Sequence, residues 1–522
     1  MSSRFAPVLL ALTVGIGLAA QSQAQQAASA DMPVGPDGVL SLKSAMTWVM
    51  EKNFDLRIKQ EDVYIAQDDV EHAKGEFDPS AYASGTYENN IRKLNAIDYE
   101  SYGISSANPE DTLFHEDNIR TQVGITGKLP TGTEYDLTTT LNRLDNDVNK
   151  AGRFFSPEYE SFAGITLTQS LLKGFGTKAG MADLRAARVA VHISQRTREV
   201  EVINKLIELT DAYYDMVFGL ENLKVKQQAV SLAQKLRDEN SERVRLGKMT
   251  STDVTEADIK ISEAKEEQIL GEDFVRERRM KMLKLMLNKF SAGPIPEFTV
   301  ATELSIEPIT QTAAQYFETA IAQRPDYLLA QDEIRKGHIT VDQTRNGLLP
   351  QLDLKLSYGK GGLDDTFGSS YEEIADQNQR RLSGGIVASF PIGNHKALAD
   401  YHTAQHKVTQ AQLSLDELKT SISLEVSNAV EHLAALQRRL DTASQSRQYA
   451  EQGLDVEQNR LEQGQTTSFS VLDFQRKVSD ARTREIAARV DLKKAESELW
   501  GSVGIFMTKN GFVTDTEPNV HS

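Results

Sequence analysis

The chain has 522 residues, 14 prolines, no cysteine and a formal net charge of −17. Without cysteine there is no disulfide, no thiolate metal site and no acylated amino-terminal Cys, so a lipoprotein is not expected. The negative balance argues against nucleic acid, which calls for clustered Lys and Arg; it suits long solvated helices or an acidic lumen.

Residues 1–24 read as a signal peptide. Arg4 supplies the positive start, "VLLALTVGIGLAA" (8–20) the apolar core, and Ser22-Gln23-Ala24 a small-x-small cleavage site, with Ala28-Ser29-Ala30 as a second. Beyond it no run of ~18 apolar residues occurs, so no helix is expected to span a bilayer. Only a closed β-barrel would then cross one.

A helix is expected over 43–74, followed by strands over 80–172. Alternation is clear in "TQVGITGKL" (Val123, Ile125, Leu129) and "YDLTTTL" (Tyr135, Leu137, Leu141), joined by a turn at "PTGTE" (130–134). It continues in "GITLTQSLL" (164–172). "LLKGFGTKAG" (171–180) has three glycines but not G-x-G-x-x-G spacing, so it reads as a flexible corner and not a dinucleotide site.

Long helices follow over 177–245 and 253–290, both free of proline and rich in strong helix formers. After a linker (291–310), a helix over 311–345 must be broken near Pro325. Strands return over 351–392. In "GLLPQLDLKLSYG", Leu352, Leu354, Leu356 and Tyr358 face away from Asp353, Lys355 and Ser357, and "GIVASFPI" (385–392) alternates as well. Helices over 397–463 and 471–499 and a tail (501–522) complete the chain. Leu415, Leu418, Ile422, Val426, Ala429, Leu433, Leu436 and Leu440 recur at spacings of 3 and 4, a coiled-coil seam. At 1.5 Å per residue, 177–245 and 397–463 would each be rods of about 100 Å. Two shorter helices stacked end to end match each rod in length. The linker and tail would form a small mixed belt where the stacked helices meet. The strands carry the weak, repeated signal of a membrane barrel with Tyr and Phe near the interfaces. A soluble β-sandwich is the other reading of the same alternation.

The pattern occurs twice. Pro79 and Tyr87 lie 271 positions before Pro350 and Tyr358, and Asp55 lies the same distance before Asp326. Further on, Gly247 and Val254 precede Gly464 and Val471 by 217. The first copy (40–290) thus holds roughly 50 more residues in its strand region than the second (311–500).

Helix, Pro-strand, strand, long helix, Gly-centred turn and return helix, in duplicate, resemble the TolC family of outer-membrane efflux and secretion channels. The resemblance covers about 40–505. Its best pieces are "RPDYLLA" (324–330), "LLPQLDLKLSYG" (348–359), "FPIGN" (390–394) and "GQTTSFSVLD" (464–473). It implies an α+β membrane protein and a homotrimer sharing one transmembrane β-barrel, with a periplasmic α-helical coiled-coil barrel below. Its implied partners are a membrane-fusion adaptor and an inner-membrane pump, and its role is the passive exit duct of tripartite efflux or type I secretion. A shared barrel also follows from edges, since strands of one copy alone would leave unpaired backbone in lipid. Family members give four strands per chain. The hairpin "TQVGITGKLPTGTEYDLTTTL" (121–141) departs from that: either the barrel has more strands, or the hairpin lies outside it.

The resemblance further implies two periplasmic tips for adaptor docking, at Gly247, Thr250, Ser251, Asp253 and Val254, and at Gly464, Thr467, Ser470, Val471 and Leu472. Two plain helix–turn–helix connections, with Asp253 as a cap, are the alternative. Of the family's acidic entrance positions, which match Ser470 and Asp473, only Asp473 is acidic, and three copies of it would concentrate negative potential at a constriction. Thr466 stands where some relatives carry an entrance-locking Arg. "LGKMTS" (246–251) lacks the upstream Gly of a P-loop. His395, His402 and His406 are weak metal candidates at spacings of 7 and 4. No nucleophile–base–acid constellation is present, so neither an enzyme nor a cofactor is expected. A periplasmic coiled-coil scaffold or adhesin without a pore, and a metal-specific efflux channel, are the alternative functions.

Overall fold

A computed structural model describes residues 33–35, 38–94, 113–147, 149, 155–247, 249–287, 297–302, 311–376 and 379–512. The expected signal peptide, most of the 291–310 linker and the end of the tail lie outside the described residues. In chain order the elements begin with β1 (Val39–Leu40), α1 (Leu42–Lys52), α2 (Phe54–Lys74), β2 (Ser80–Lys93), β3 (Leu113–Lys128), β4 (Thr133–Asn146) and β5 (Glu158–Ser170). Next come α3 (Gly176–Gly180), α4 (Ala182–Arg245), α5 (Ser251–Met286), β6 (Thr299–Val300), α6 (Ala313–Gln323) and α7 (Pro325–Gly347). The chain ends with β7 (Gln351–Asp364), α8 (Phe367–Asp376), β8 (Arg380–Ser389), α9 (His395–Glu462), α10 (Ser468–Val503) and α11 (Phe506–Lys509). No described helix is long and apolar enough to cross a membrane. The chain divides into two compact units.

The first unit draws on Met1–Val63, Ser194–Leu329 and Leu415–Ser522, and its described part is largely helical. Most of the leucine seam of α9 is interior: Ile422, Val426, Ala429, Leu433, Leu436 and Leu440 are buried against Ala488, Leu492, Ala495 and Leu499 of α10. A second core joins α1, α4 and the end of α5 through Met46, Val49, Leu206, Leu209, Met216, Met282 and Met286. Over it lies a two-stranded parallel pair, Val39–Leu40 on Thr299–Val300. The Tyr213 hydroxyl is shared between the carbonyls of Leu40 (3.2 Å) and Ala301 (3.1 Å), tying α4 to the end of this short pair.

Helix breaks are set by caps. Pro325 opens α7, since its ring fits a first turn and its missing N–H costs nothing there. Arg324 beside it donates to Asp326 (2.7 Å), Glu425 (2.7 Å) and the Ser502 carbonyl (3.0 Å). The single helix expected over 43–74 is two helices. Asn53 parts them, accepting from the N–H groups of Asp55 (2.9 Å) and Leu56 (3.2 Å) and donating to the Leu285 carbonyl (2.8 Å). A buried Asn that caps the second helix and ties down the end of α5 gains more than continuing the first helix would.

The second unit draws on Tyr64–Ile193 and Ala330–Ser414 and contains one antiparallel sheet in the order β2-β3-β4-β5-β7-β8. The extra hairpin is not outside it. Strands β3 and β4 lie between β2 and β5, paired along most of their lengths on both sides. Their turn is seated by glycines: Gly132 has φ +82°, and a Cβ there would collide with the Gly174 carbonyl. A Cβ on Gly180 would collide with the Pro130 carbonyl, and Gly176 N–H donates to the Thr131 carbonyl (3.0 Å). The glycines of "LLKGFGTKAG" therefore serve this close backbone approach.

Candidate functional site

Strand pairing fixes which side chains share a face of the sheet. On one face lie Ala81, Ala83 and Tyr87 of β2, Ile119, Val123 and Ile125 of β3, and Tyr135, Leu137 and Leu141 of β4. The same face continues with Ala163, Ile165 and Leu167 of β5, Leu352, Leu354, Leu356 and Tyr358 of β7, and Leu382, Ile386 and Ala388 of β8. The face carries few charges, among them Asp117, Arg143, Lys360 and Arg380; Arg143 stands opposite Ile119 and Lys360 opposite Ala163. Many of its apolar side chains are exposed, Val123 by 47%, Ile386 by 67% and Leu382 by 76%.

The opposite face is polar. Tyr82 donates to Asp136 (3.0 Å), and Gln122 donates to Tyr82 (3.1 Å) and Thr138 (3.2 Å), a network across β2, β3 and β4. Arg120 pairs with Glu88 (3.6 Å) and Arg381 with Glu160 (2.9 Å). The Phe162 ring lies over Gly164 and Gly359, where no Cβ fits, and carries the Arg381 guanidinium above it (5.5 Å). Aromatic-on-glycine pairs of this kind hold strand register.

Helix α8 folds back on the far end of the apolar face. Ser161 Oγ donates to the Ser370 carbonyl (2.6 Å), the Tyr371 and Thr139 hydroxyls are bonded (2.7 Å), and Leu363 N–H donates to Glu373 (2.9 Å). It presents Phe367 and Tyr371 as exposed rings.

The two tip turns lie in the helical unit. In the first, Gly247 (φ +73°) ends α4, and Thr250 opens α5 by donating its N–H (2.9 Å) and hydroxyl (2.7 Å) to Asp253. That hydroxyl bond, with the backbone bond behind it, holds the Asp253 carboxyl below its usual range. In the second, Gly464 (φ +68°) ends α9, and Thr467 caps α10 by accepting from Ser470 N–H (3.4 Å). Asp473 is bonded to Lys477 (2.8 Å) and Arg476 (2.8 Å), which together lower its carboxyl pKa. Each Asp473 thus stands with two cations, a weaker source of negative potential than a bare carboxylate.

The tip residues do not form one surface. Gly247, Thr250, Ser251, Gly464 and Thr467 are exposed, and Asp253, Val254 and Ser470 are half-buried. Val471 and Leu472 are buried with Ala233, Leu236 and Leu461, so they join the two hairpins to each other and cannot face a partner. Sequence reasoning passed over Asn240 and Ser468. Asn240 is fully buried, accepts from the Ser468 hydroxyl (2.9 Å) and donates to the Asp253 carbonyl (3.3 Å), linking both turns. It also passed over Leu246 and Phe469, apolar side chains more than half exposed beside the turns. Thr466 donates to the buried Glu457.

His395, His402 and His406 are all exposed, and among the described residues no group of three His, Cys, Asp or Glu side chains is placed to hold a metal. The expected metal candidates therefore do not converge: one opens α9 and the others stand farther along it.

Residues 317–504 match the family model described as outer membrane efflux protein. The pyoverdine export outer membrane protein OpmQ of Pseudomonas putida is 26% identical over 196 residues, which are 37% of this chain and 38% of that protein. The match thus spans well under half the length of this relative. Across the whole chain the likeness is one of fold. A membrane protein from Pseudomonas aeruginosa superposes with a TM-score of 0.61 at 17% identity, covering 89% of this chain and 93% of its own. The CmeC outer membrane channel of Campylobacter jejuni gives 0.60 at 12% identity, covering 91% and 87%. Residues 317–504 thus match the outer membrane efflux protein family in sequence, and most of the chain shares the fold of these membrane proteins.

Proposed function

We propose that three copies of this chain form an outer-membrane exit duct. It is a passive conduit of a tripartite efflux or type I secretion system, taking solutes or polypeptides from a periplasmic adaptor and inner-membrane pump to the exterior. The observation that carries this reading is the exposed, largely apolar face running across all six strands, backed by a polar one. Burying such a face in hydrocarbon removes its hydration cost, and the polar reverse then lines water. In this reading residues 1–24 direct export, and 40–290 and 311–500 are two copies of one repeat. The exposed tip residues with Leu246 and Phe469 dock the adaptor, and Asp473 with Arg476 and Lys477 borders the entrance. The export and efflux names of the relatives support this direction of traffic. Ion conductance of the purified protein in planar bilayers tests the reading. Discrete, stable pore currents are expected; protein that inserts nowhere and conducts nothing would instead be a scaffold.

A further inference from the structure

We propose that the shared barrel has eighteen strands, six from each of three copies, and that its bore admits compact polypeptide cargo. This rests on the duct reading above. The six-stranded sheet has two edges without a partner strand among the described residues, β2 and β8. Five successive antiparallel pairings separate them, so β2 and β8 run in opposite directions. The β8 edge of one copy can therefore continue antiparallel onto the β2 edge of the next, and the apolar face stays on one side throughout. A ring closed head to tail leaves no edge in lipid. Six strands cannot close alone, because even eight leave an interior only wide enough for side chains.

The strand number is set by the hairpin β3–β4. It is inserted in full register, and its turn is locked onto the corner before α4 by contacts that only Gly132 and Gly180 allow. It belongs to the wall and adds two strands per copy.

Width follows from geometry. With strands about 4.8 Å apart and tilted about 40°, eighteen give a backbone diameter of about 36 Å, against about 24 Å for twelve. Subtracting about 5 Å of side chain from each wall leaves about 26 Å against about 14 Å. A helix with its side chains is about 10–12 Å across, so twelve strands pass one helix and eighteen pass two abreast. The polar face also pairs charges, Glu88 with Arg120 and Glu160 with Arg381, which spares cargo of either sign a strong barrier.

The natural absence of cysteine makes the test direct. In the full-length protein in outer membranes, Ala83→Cys with Val123→Cys should cross-link β2 to β3. Likewise, Leu137→Cys with Ile165→Cys should cross-link β4 to β5. A β2-to-β5 cross-link from Ala83→Cys with Ile165→Cys would overturn the inference. In planar bilayers, neutral polyethylene glycols added from the outer side should enter the bore up to a diameter nearly twofold larger than a twelve-stranded barrel allows. Trimeric, conducting pores with an exclusion limit near about 14 Å would refute the eighteen strands and leave the duct standing. Protein that neither trimerises nor conducts would sink both.

Discussion

The sharpest test of the face assignment uses two neighbouring residues of β2. Ala83 and Ser84 are both exposed, stand at the same depth and have no long side chain to lose. They differ in face: Ala83 lies opposite Val123 on the apolar side, and Ser84 opposite Gln122 on the polar side. Ala83 lies between Ala81 and Tyr87, a stretch of β2 that presents no charge on this face. An Arg at the bilayer midplane costs about 2–4 kcal/mol, so Ala83→Arg should lower the inserted fraction by about 30-fold to nearly 1,000-fold. Ser84→Arg would place its guanidinium in a watery lumen and should change insertion by less than about 0.5 kcal/mol, about twofold. Refolding into lipid vesicles across a urea series reads the difference as a shift in midpoint with unchanged slope. Equal effects of the two variants would refute the lipid-facing assignment. A larger effect from Ser84→Arg would mean that the polar face is the one sealed from water, as in a sandwich.

Three further outcomes follow from local geometry. Gly132→Ala adds a Cβ at φ +82° against the Gly174 carbonyl and should cost about 1–3 kcal/mol. Gly85→Ala, with open space around it, should be near neutral; thermal loss of the strand circular-dichroism signal compares them. Asn240→Ala strands the buried Ser468 hydroxyl and should cost about 1–3 kcal/mol in helix melting, whereas Asn240→Leu combined with Ser468→Ala should recover most of it. Asp253 is held below its usual pKa of 3.8 by the Thr250 bonds. Its contribution is therefore present above the unfolded carboxyl pKa and is lost as pH falls through the lower folded value. The protection factors of amides in the first turn of α5, taken against the intrinsic exchange rate at each pH, should fall as the pH drops from about 6 to about 3, and Asp253→Asn should flatten that dependence.

How far the sequence reaches depends on whether a signal is local. Pro325 marks a helix start by its own chemistry, and Leu352-x-Leu354-x-Leu356-x-Tyr358 marks a half-buried strand by period alone. The seam of α9 is legible for the same reason, because burial at spacings of 3 and 4 is a property of one helix. Asn53 is not legible, since it breaks a run of helix formers through a bond to Leu285, which lies more than two hundred residues away. The place of the extra hairpin is likewise a matter of long-range fit: nothing near Gly132 foretells the Gly174 carbonyl that forbids a side chain there. At the tips, the Thr250–Asp253 box is local chemistry and could be read in advance. Val471 and Leu472 could not be told from exposed apolar residues until the second hairpin was set against the first. Family pattern marked the turns and missed Asn240, because a buried Asn in a helix looks like a surface Asn until its two partners arrive from other helices. The same distinction separates what ought to vary freely from what ought not. Exposed Leu246 and Phe469 can be exchanged without cost to the fold, so their loss should show only in partner binding, whereas Asn240 should show first in stability.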